Sequence, residues 1–250
     1  MPTQLSTGME RRDLGHSRRG HKGLFITFEG VEGSGKTTQI SRLAEWLDNR
    51  GRIVLRTREP GGTPAGEQIR QVLLDHRNMA LTAHTEAFLV LAARAQHLHE
   101  VIRPALAQGA IVLCDRFADS TLAYQGYGRG LNVASLRRLN RLATQGLEAD
   151  LTILFDVPVA TGLARRRNHR HNNRLDLESD AFHMRIRKGF LRLARREPDR
   201  IKVVDASVSP VRVSDAVIQV VTPLIPRRPT SRTLPASQGT GRKSPMTQVG

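Results

Sequence analysis

Short runs of consecutive apolar residues alternate along the chain with longer stretches whose apolar positions recur every three or four residues. The short runs are 24–29 (LFITFE), 52–57 (RIVLRT), 110–115 (AIVLCD), 151–156 (LTILFD) and 201–205 (IKVVD). Most are apolar throughout, the pattern of strands covered on both faces in a parallel sheet. The longer stretches predict helices over about 36–50, 64–75, 84–108, 117–125, 132–145, 158–168, 179–196 and 209–221. Gly51 and Gly109 stand where helix C-termini need a residue free to turn. The first helix has an apolar stripe of Ile40, Leu43, Ala44 and Leu47. Strand alternating with helix predicts a three-layer α/β fold, a five-stranded parallel sheet with helices on both faces. Ligands of such folds sit beyond the carboxyl ends of the strands.

Composition narrows the class. The 250 residues make one ordinary domain, and 39% hydrophobic with 25% charged residues excludes wholesale disorder. No apolar run approaches the roughly 18 residues of a membrane-spanning helix. A single cysteine, Cys114, excludes an internal disulfide and a cysteine-based zinc cluster; it reads as a buried apolar residue in a reducing cytoplasm. The net charge of +16 suggests a polyanionic partner when taken alone, but half of the excess lies on the two ends. No recognition motif accompanies it, so a basic protein solvated at its termini is preferred to a nucleic-acid binder. Residues 1–22 have no apolar periodicity and read as a disordered basic arm. They lack the apolar region of a secretory signal, and Glu10 and Asp13 weigh against a transit peptide that the arginines leave open. A start at Met9 and a loose extension both stand. Residues 223–250, rich in Pro, Ser, Thr and Gly, read as a disordered basic tail, leaving 23–222 as the folded domain.

The first strand runs into Gly30-Val31-Glu32-Gly33-Ser34-Gly35-Lys36-Thr37, a complete G-x4-G-K-[ST] phosphate loop followed by Thr38. Glycine at 30, 33 and 35 lets successive N–H groups point at one anion, and the following helix offers its unpaired N–H groups and positive dipole end. Lys36 supplies a charge for the β- and γ-phosphates, and the Thr37 hydroxyl is placed to ligate Mg2+. The alternative, a chance glycine-rich turn, is disfavoured by the strand before and the amphipathic helix after. The loop implies a nucleoside triphosphate but leaves the acceptor open. No Asn-Lys-x-Asp element is present to read guanine, and larger motor or transporter ATPases carry further nucleotide motifs. A small-metabolite kinase or a nucleotide-dependent binding module remains.

Three further segments lie at strand ends: Thr57-Arg58-Glu59-Pro60-Gly61-Gly62-Thr63, then 115–126 (DRFADSTLAYQG), then the arginines 165, 166, 167, 170 and 174. Asp115 ends a buried strand where phosphate-loop proteins hold Mg2+ directly or through water; the alternative is a cap for the next helix. Arg116 has the fork that grips a phosphomonoester through two parallel hydrogen bonds; the alternative is a surface ion pair. The arginine cluster reads as a lid over 165–178 that neutralises charge in phosphoryl transfer, or as a solvated basic loop.

Together with GVEGSGKTTQ, these segments resemble bacterial thymidylate kinases over about residues 23–222. The resemblance implies transfer of the γ-phosphoryl of ATP to dTMP, giving dTDP and ADP for dTTP synthesis, with Mg2+, in a cytoplasmic homodimer. The other readings are a kinase for a different nucleoside monophosphate and a nucleotide-regulated nucleic-acid-binding module. By resemblance, residues 30–38 bind ATP, with Val31 and Ser34 in the loop and Glu32 near the acceptor sugar or phosphate. Arg116 holds the dTMP phosphate, and Glu59 and Pro60 form part of the dTMP wall unless they are only a tight turn. Arg70 lies near the substrate phosphate and Arg94 near the thymine edge, each with a solvated helix face as its alternative. Tyr124 packs against the deoxyribose, a steric route to preferring deoxy substrates. Ser120, Thr121 and Gln125 add polar contacts. The loop carries no basic residue before Lys36, so a lid arginine supplies that charge; Arg174 best matches the position, with Arg167 or Arg170 as alternatives. In the family an aromatic four residues before the thymine-site arginine stacks on the base. Here that position is Val90, and Phe88 lies two residues off, on another side of a helix.

Overall fold

The computed structural model describes residues 21–167 and 174–225. Five strands, β1 (Leu24–Glu29), β2 (Val54–Arg58), β3 (Ile111–Asp115), β4 (Leu151–Asp156) and β5 (Ile201–Asp205), form one parallel sheet in the order β2-β3-β1-β4-β5. The α-helices are α1 (Lys36–Asp48), α2 (Pro64–Leu74), α3 (Ala83–His97), α4 (Arg103–Ala107), α5 (Ala118–Thr121), α6 (Val133–Ala143), α7 (Val159–Arg167), α8 (Asp180–Arg196) and α9 (Pro210–Val221). This is the expected α/β architecture. The arm and tail expectations for 1–20 and 226–250, and the lid expectation for 168–173 with Arg170, lie outside the described residues.

Central strands are apolar throughout because both faces are covered. Ile26 and Phe28 of β1 join the expected stripe of α1 in the larger core, which also takes in Val213 and Val217 of α9. Phe25 joins Leu98, Ile102 and Leu106 in a second core, together with Val112 and Cys114 of β3. The edge strand β2 exposes Arg56 and Arg58, which is why its run is less apolar. Cys114 is free and buried, and burial pushes its thiol up.

Two predicted helices are differently built. The single helix over 84–108 is α3, a π-helical turn (Leu98–Ile102) and α4, with Arg103 N–H reaching Leu98 O. Pro104 has no N–H and its ring would collide with the carbonyl four residues back, so the helix widens just before it. The helix over 117–125 is one turn of α5 followed by a wider π-helical turn (Leu122–Gly128). Strand register sets the site. Phe28 and Arg58 both pair with Asp115. Glu59 N–H then donates to Asp115 O (2.9 Å), and Arg116 N–H donates to Phe28 O (3.0 Å). The carboxyl ends of β1, β2 and β3 thus stop at one level.

Candidate active site

The phosphate loop closes over its own lysine. Gly30, Gly33 and Gly35 have φ of 144°, 68° and 88°, which favour glycine. Gly33 is also hemmed in: a Cβ there would lie 2.0 Å from Gly162 O on α7. Lys36 Nζ donates to Gly30 O (3.2 Å), Val31 O (3.0 Å) and Ser34 Oγ (3.3 Å). Burial, with Arg116 adding to it, pushes the Lys36 ammonium down to about 8. Val31 and Ser34 are buried, while Thr37 and Thr38 face outward from the first turn of α1.

Thr37 Oγ1 donates to Asp115 Oδ2 at 3.2 Å. Asp115 does not cap α5, whose N-cap is Phe117. Two oxygen donors at the phosphate loop fit a hard cation that arrives with phosphates and keeps waters, as Mg2+ does. Among the described residues, no three His, Cys, Asp or Glu side chains gather as a metal site of their own.

Arg116 stands at φ 71°, a conformation rare outside glycine, and its strain aims the side chain back across the loop. It donates to Gly30 O (3.0 Å), Ser120 Oγ (3.2 Å) and Glu32 Oε1 (3.2 Å), with its guanidinium carbon 4.9 Å from the Tyr124 ring centre. Tyr124 Oη donates to the same Glu32 oxygen at 2.5 Å. Burial pushes Glu32 up, but His183, Arg116, Lys36 and Tyr124 outweigh it and hold its carboxyl well below the usual range. Arg116 is therefore part of a partly buried cluster rather than a surface pair.

The acceptor-side residues gather around a cavity of about 280 Å3. Arg94 is 1% exposed, which rules out a solvated helix face. It donates to Glu59 (2.7 Å), Thr121 (2.8 Å), Asn140 (2.5 Å) and Phe117 O (3.0 Å). Glu59 is held from the other side by His97 (3.1 Å). Arg70 donates to Pro60 O (2.9 Å) and lines the cavity with it. Ser120 and Gln125 line it too, bonded to Glu29 (2.6 Å) and Glu86 (3.3 Å). Val90 lines the wall, whereas Phe88 points outward, 57% exposed; the aromatic rings facing the cavity are Phe117 and Tyr124.

A second cleft of about 630 Å3 runs along the loop and α1 past Thr38 and Arg165 to Val208. Gly33, Lys36, Thr37 and Arg166 line both clefts. The anticipated lid arginine, Arg174, is not at that junction. It is buried, donating to Glu86 (2.7 Å) and Leu73 O (3.1 Å), because a buried carboxylate there demands a cation. Arg166 is at the junction, held by Asp176 (2.9 Å), and Arg165 is tied to Ala206 O (3.0 Å).

Three acidic or basic groups escaped the sequence reading. Glu29 accepts from Phe117 N–H (2.8 Å) and Ser120 Oγ (2.6 Å), and burial, then Asp119, pushes it up to about 7. Glu86 gathers Arg129 (2.9 Å), Arg174 and Gln125. His183 is buried beside Glu32.

The family model for thymidylate kinase matches residues 28–217. The chain belongs to the thymidylate kinase family. The thymidylate kinase of Trichlorobacter lovleyi is 52% identical over 204 residues, covering 79% of this chain and 96% of that protein. That of Geobacter sulfurreducens is 53% identical over 212 residues, covering 82% and 100%. The crystal structure of thymidylate kinase from Ehrlichia chaffeensis matches with a TM-score of 0.65 at 36% identity, covering 80% of this chain and 98% of that one. The sheet order, phosphate loop and family together make this a P-loop NTPase fold, and none of the described helices is long and apolar enough to cross a membrane. Within a thymidylate kinase, two clefts sharing one lysine and one arginine suit two nucleotides meeting by their phosphates.

Proposed function

We propose that this chain is an ATP-dependent thymidylate kinase that moves the γ-phosphoryl of ATP onto dTMP, yielding dTDP and ADP. The observation that carries the reading is the meeting of the two clefts at Gly33, Lys36, Thr37 and Arg166. ATP occupies the loop cleft, its phosphates wrapped by residues 30–38. dTMP occupies the smaller cavity, its phosphate turned to Arg116 and Arg70, its sugar against Tyr124, its base toward Arg94, Thr121 and Gln125. Glu59 and Pro60 close that wall. Little covalent work falls to the protein; it aligns acceptor and donor oxygens and neutralises the charge that spreads over the transferring group. Lys36 and Arg166 stand at that point, so Arg166 takes the role first given to Arg174. Thr37 and Asp115 would hold Mg2+, directly or through water, and the ion would supply neutralisation of β- and γ-phosphate charge.

The family relation supports a homodimer, and so does an outward stripe on α3 with Phe88, Ala92 and Ala95 exposed. A second copy covering that stripe completes the assembly, and dTTP supply places the enzyme in the cytoplasm. Residues 23–222 carry the activity, with nucleic acid no part of it.

The test is ADP release by the full chain against dTMP, dUMP, dCMP and dGMP, repeated with residues 23–222 alone. dTMP is the preferred acceptor and the shorter chain retains the rate. A higher kcat/KM for another monophosphate, which Val90 in place of an aromatic would explain, overturns the acceptor. Loss of turnover in the shorter chain overturns the domain reading.

A further inference from the structure

His183 is on no face that solvent or substrate reaches. It is 0% exposed on α8, wedged behind the phosphate loop, with the Phe182 ring edge-on at 5.6 Å between centres. Its Nδ1 lies 3.5 Å from Glu32 Oε2. Neither of these atoms, nor His183 Nε2, makes a hydrogen bond with any described group, the pair itself standing at ion-contact distance. Buried polar atoms need partners, and here the imidazole and the carboxylate oxygen have only each other. That fixes the tautomer. A proton on Nδ1 faces the carboxylate and leaves only a bare ring nitrogen unpaired at Nε2. The other tautomer sets a lone pair against the carboxylate and strands a buried N–H as well.

The other oxygen of Glu32 is the one that accepts from Arg116 Nη2 (3.2 Å) and Tyr124 Oη (2.5 Å). One carboxylate thus joins a buried histidine on one side to the acceptor-side arginine and tyrosine on the other. A carboxylate can rotate about its last bond, and rotation would carry both of those contacts with it. Tyr124 is further boxed by Phe182 and Phe190 of the same helix, each at 6.3 Å. The ring therefore cannot follow a displaced Glu32.

We propose that His183 is a positioning residue for phosphoryl transfer: its Nδ1–H locks the Glu32 carboxylate, and Glu32 in turn sets Arg116 and Tyr124 for the acceptor monophosphate. The inference rests on the thymidylate kinase reading of the site. It makes α8, which touches no phosphate, the back wall against which the acceptor site is aligned. A group that acts in this way changes how the acceptor is held and leaves the ATP cleft alone. A group that merely fills space changes the amount of folded enzyme and leaves both Michaelis constants as they were.

His183→Phe keeps a flat ring of similar size and removes the N–H, whereas His183→Asn places an amide N–H close to where Nδ1 stood. The phenylalanine variant raises KM for dTMP about tenfold with KM for ATP within twofold, and the asparagine variant restores KM for dTMP to within threefold of the parent. In a Glu32→Gln background, His183→Phe changes KM for dTMP less than twofold, since the group it positions is already altered. Should His183→Phe not fold, His183→Leu against His183→Asn carries the same comparison. A parental KM for dTMP in the variant lacking the N–H, equal losses for both nucleotides, or the full loss repeated in the Glu32→Gln background overturns the proposal. A parent enzyme that shows no dTMP-dependent ADP release defeats the functional reading instead, and is recognised before any variant is made.

Discussion

Glu86 on α3 accepts a 2.7 Å hydrogen bond from Arg174, which lies in the 3-10 turn preceding α8, and neither side chain reaches solvent. Arg129 adds a second cation to the same carboxylate at 2.9 Å. Removing Arg174 leaves Glu86 with Arg129 and Gln125 still bonded to it. Arg174→Ala therefore costs about 1–3 kcal/mol of stability, the worth of one buried charge-assisted hydrogen bond, read from denaturant unfolding. A variant as stable as the parent would remove Arg174 from this structural role.

Arg166 has a different signature. It is more open than Arg174 and stands where the two clefts join. Arg166→Ala lowers kcat about 10³-fold, the lower end of what an inserted arginine supplies in phosphoryl transfer. Its partner Asp176 is only 3% exposed, so the unfolding midpoint falls as well, and it is the much larger loss in kcat that marks Arg166. Single-turnover kinetics beside the unfolding curve separates the two arginines, and an unchanged kcat would return the role to another lid residue.

That division was not legible in the sequence. Arg166 and Arg174 sit in one arginine-rich run, and which of them turns inward depends on Glu86, 88 residues before Arg174. Glu86 itself reads as an ordinary first-turn acid of a helix. A solvated helix face stays open for Arg94 in the sequence, because its four partners come from 23 to 46 residues away. By contrast, the five strands, the phosphate loop and the Asp115-Arg116 strand end were readable, since each is set by local pattern and by the rule that sites lie at carboxyl ends. Pro104 was visible too, but its effect shows only once a helix is built around it.

Arg116→Lys keeps the charge and loses the fork that spans Gly30 O, Ser120 and Glu32. KM for dTMP rises about 10–100-fold, the worth of one or two charge-assisted hydrogen bonds, while KM for ATP changes little. Initial-rate kinetics with each nucleotide varied in turn checks this, and matched losses for both would count against an acceptor-side role.

Glu29 makes stability depend on pH near neutrality. Its carboxyl is pushed up to about 7 by burial and then by Asp119, against an ordinary value of 4.5 in the unfolded chain. The folded protein holds this proton more tightly, so the contribution is complete below pH 4.5 and is lost as pH rises through 7. The difference is about 3 kcal/mol. Glu29→Gln, which stays neutral, flattens the dependence between pH 5 and 8 and is more stable than the parent at pH 8. Denaturant unfolding at half-unit steps measures it; parallel curves for the two proteins would exclude Glu29 as the source.

Asp115→Asn weakens the oxygen pair that Thr37 and Asp115 present. The Mg2+ concentration giving half-maximal rate rises about 10–100-fold, the usual cost of disturbing the groups around a bound metal. Titrating Mg2+ at saturating ATP and dTMP reads the shift, and an unchanged midpoint would remove Asp115 from the ion's surroundings.

Gly33 and Gly162 touch backbone to backbone, so tightly that no side chain fits at either position. Arg166 follows Gly162 by four residues, about 6 Å of helix rise. A loop and a helix abutting without soft atoms between them behave like two gears in mesh. Whatever shift the triphosphate imposes on the loop reaches the arginine undamped, so the cation at the junction of the two clefts is timed by its donor.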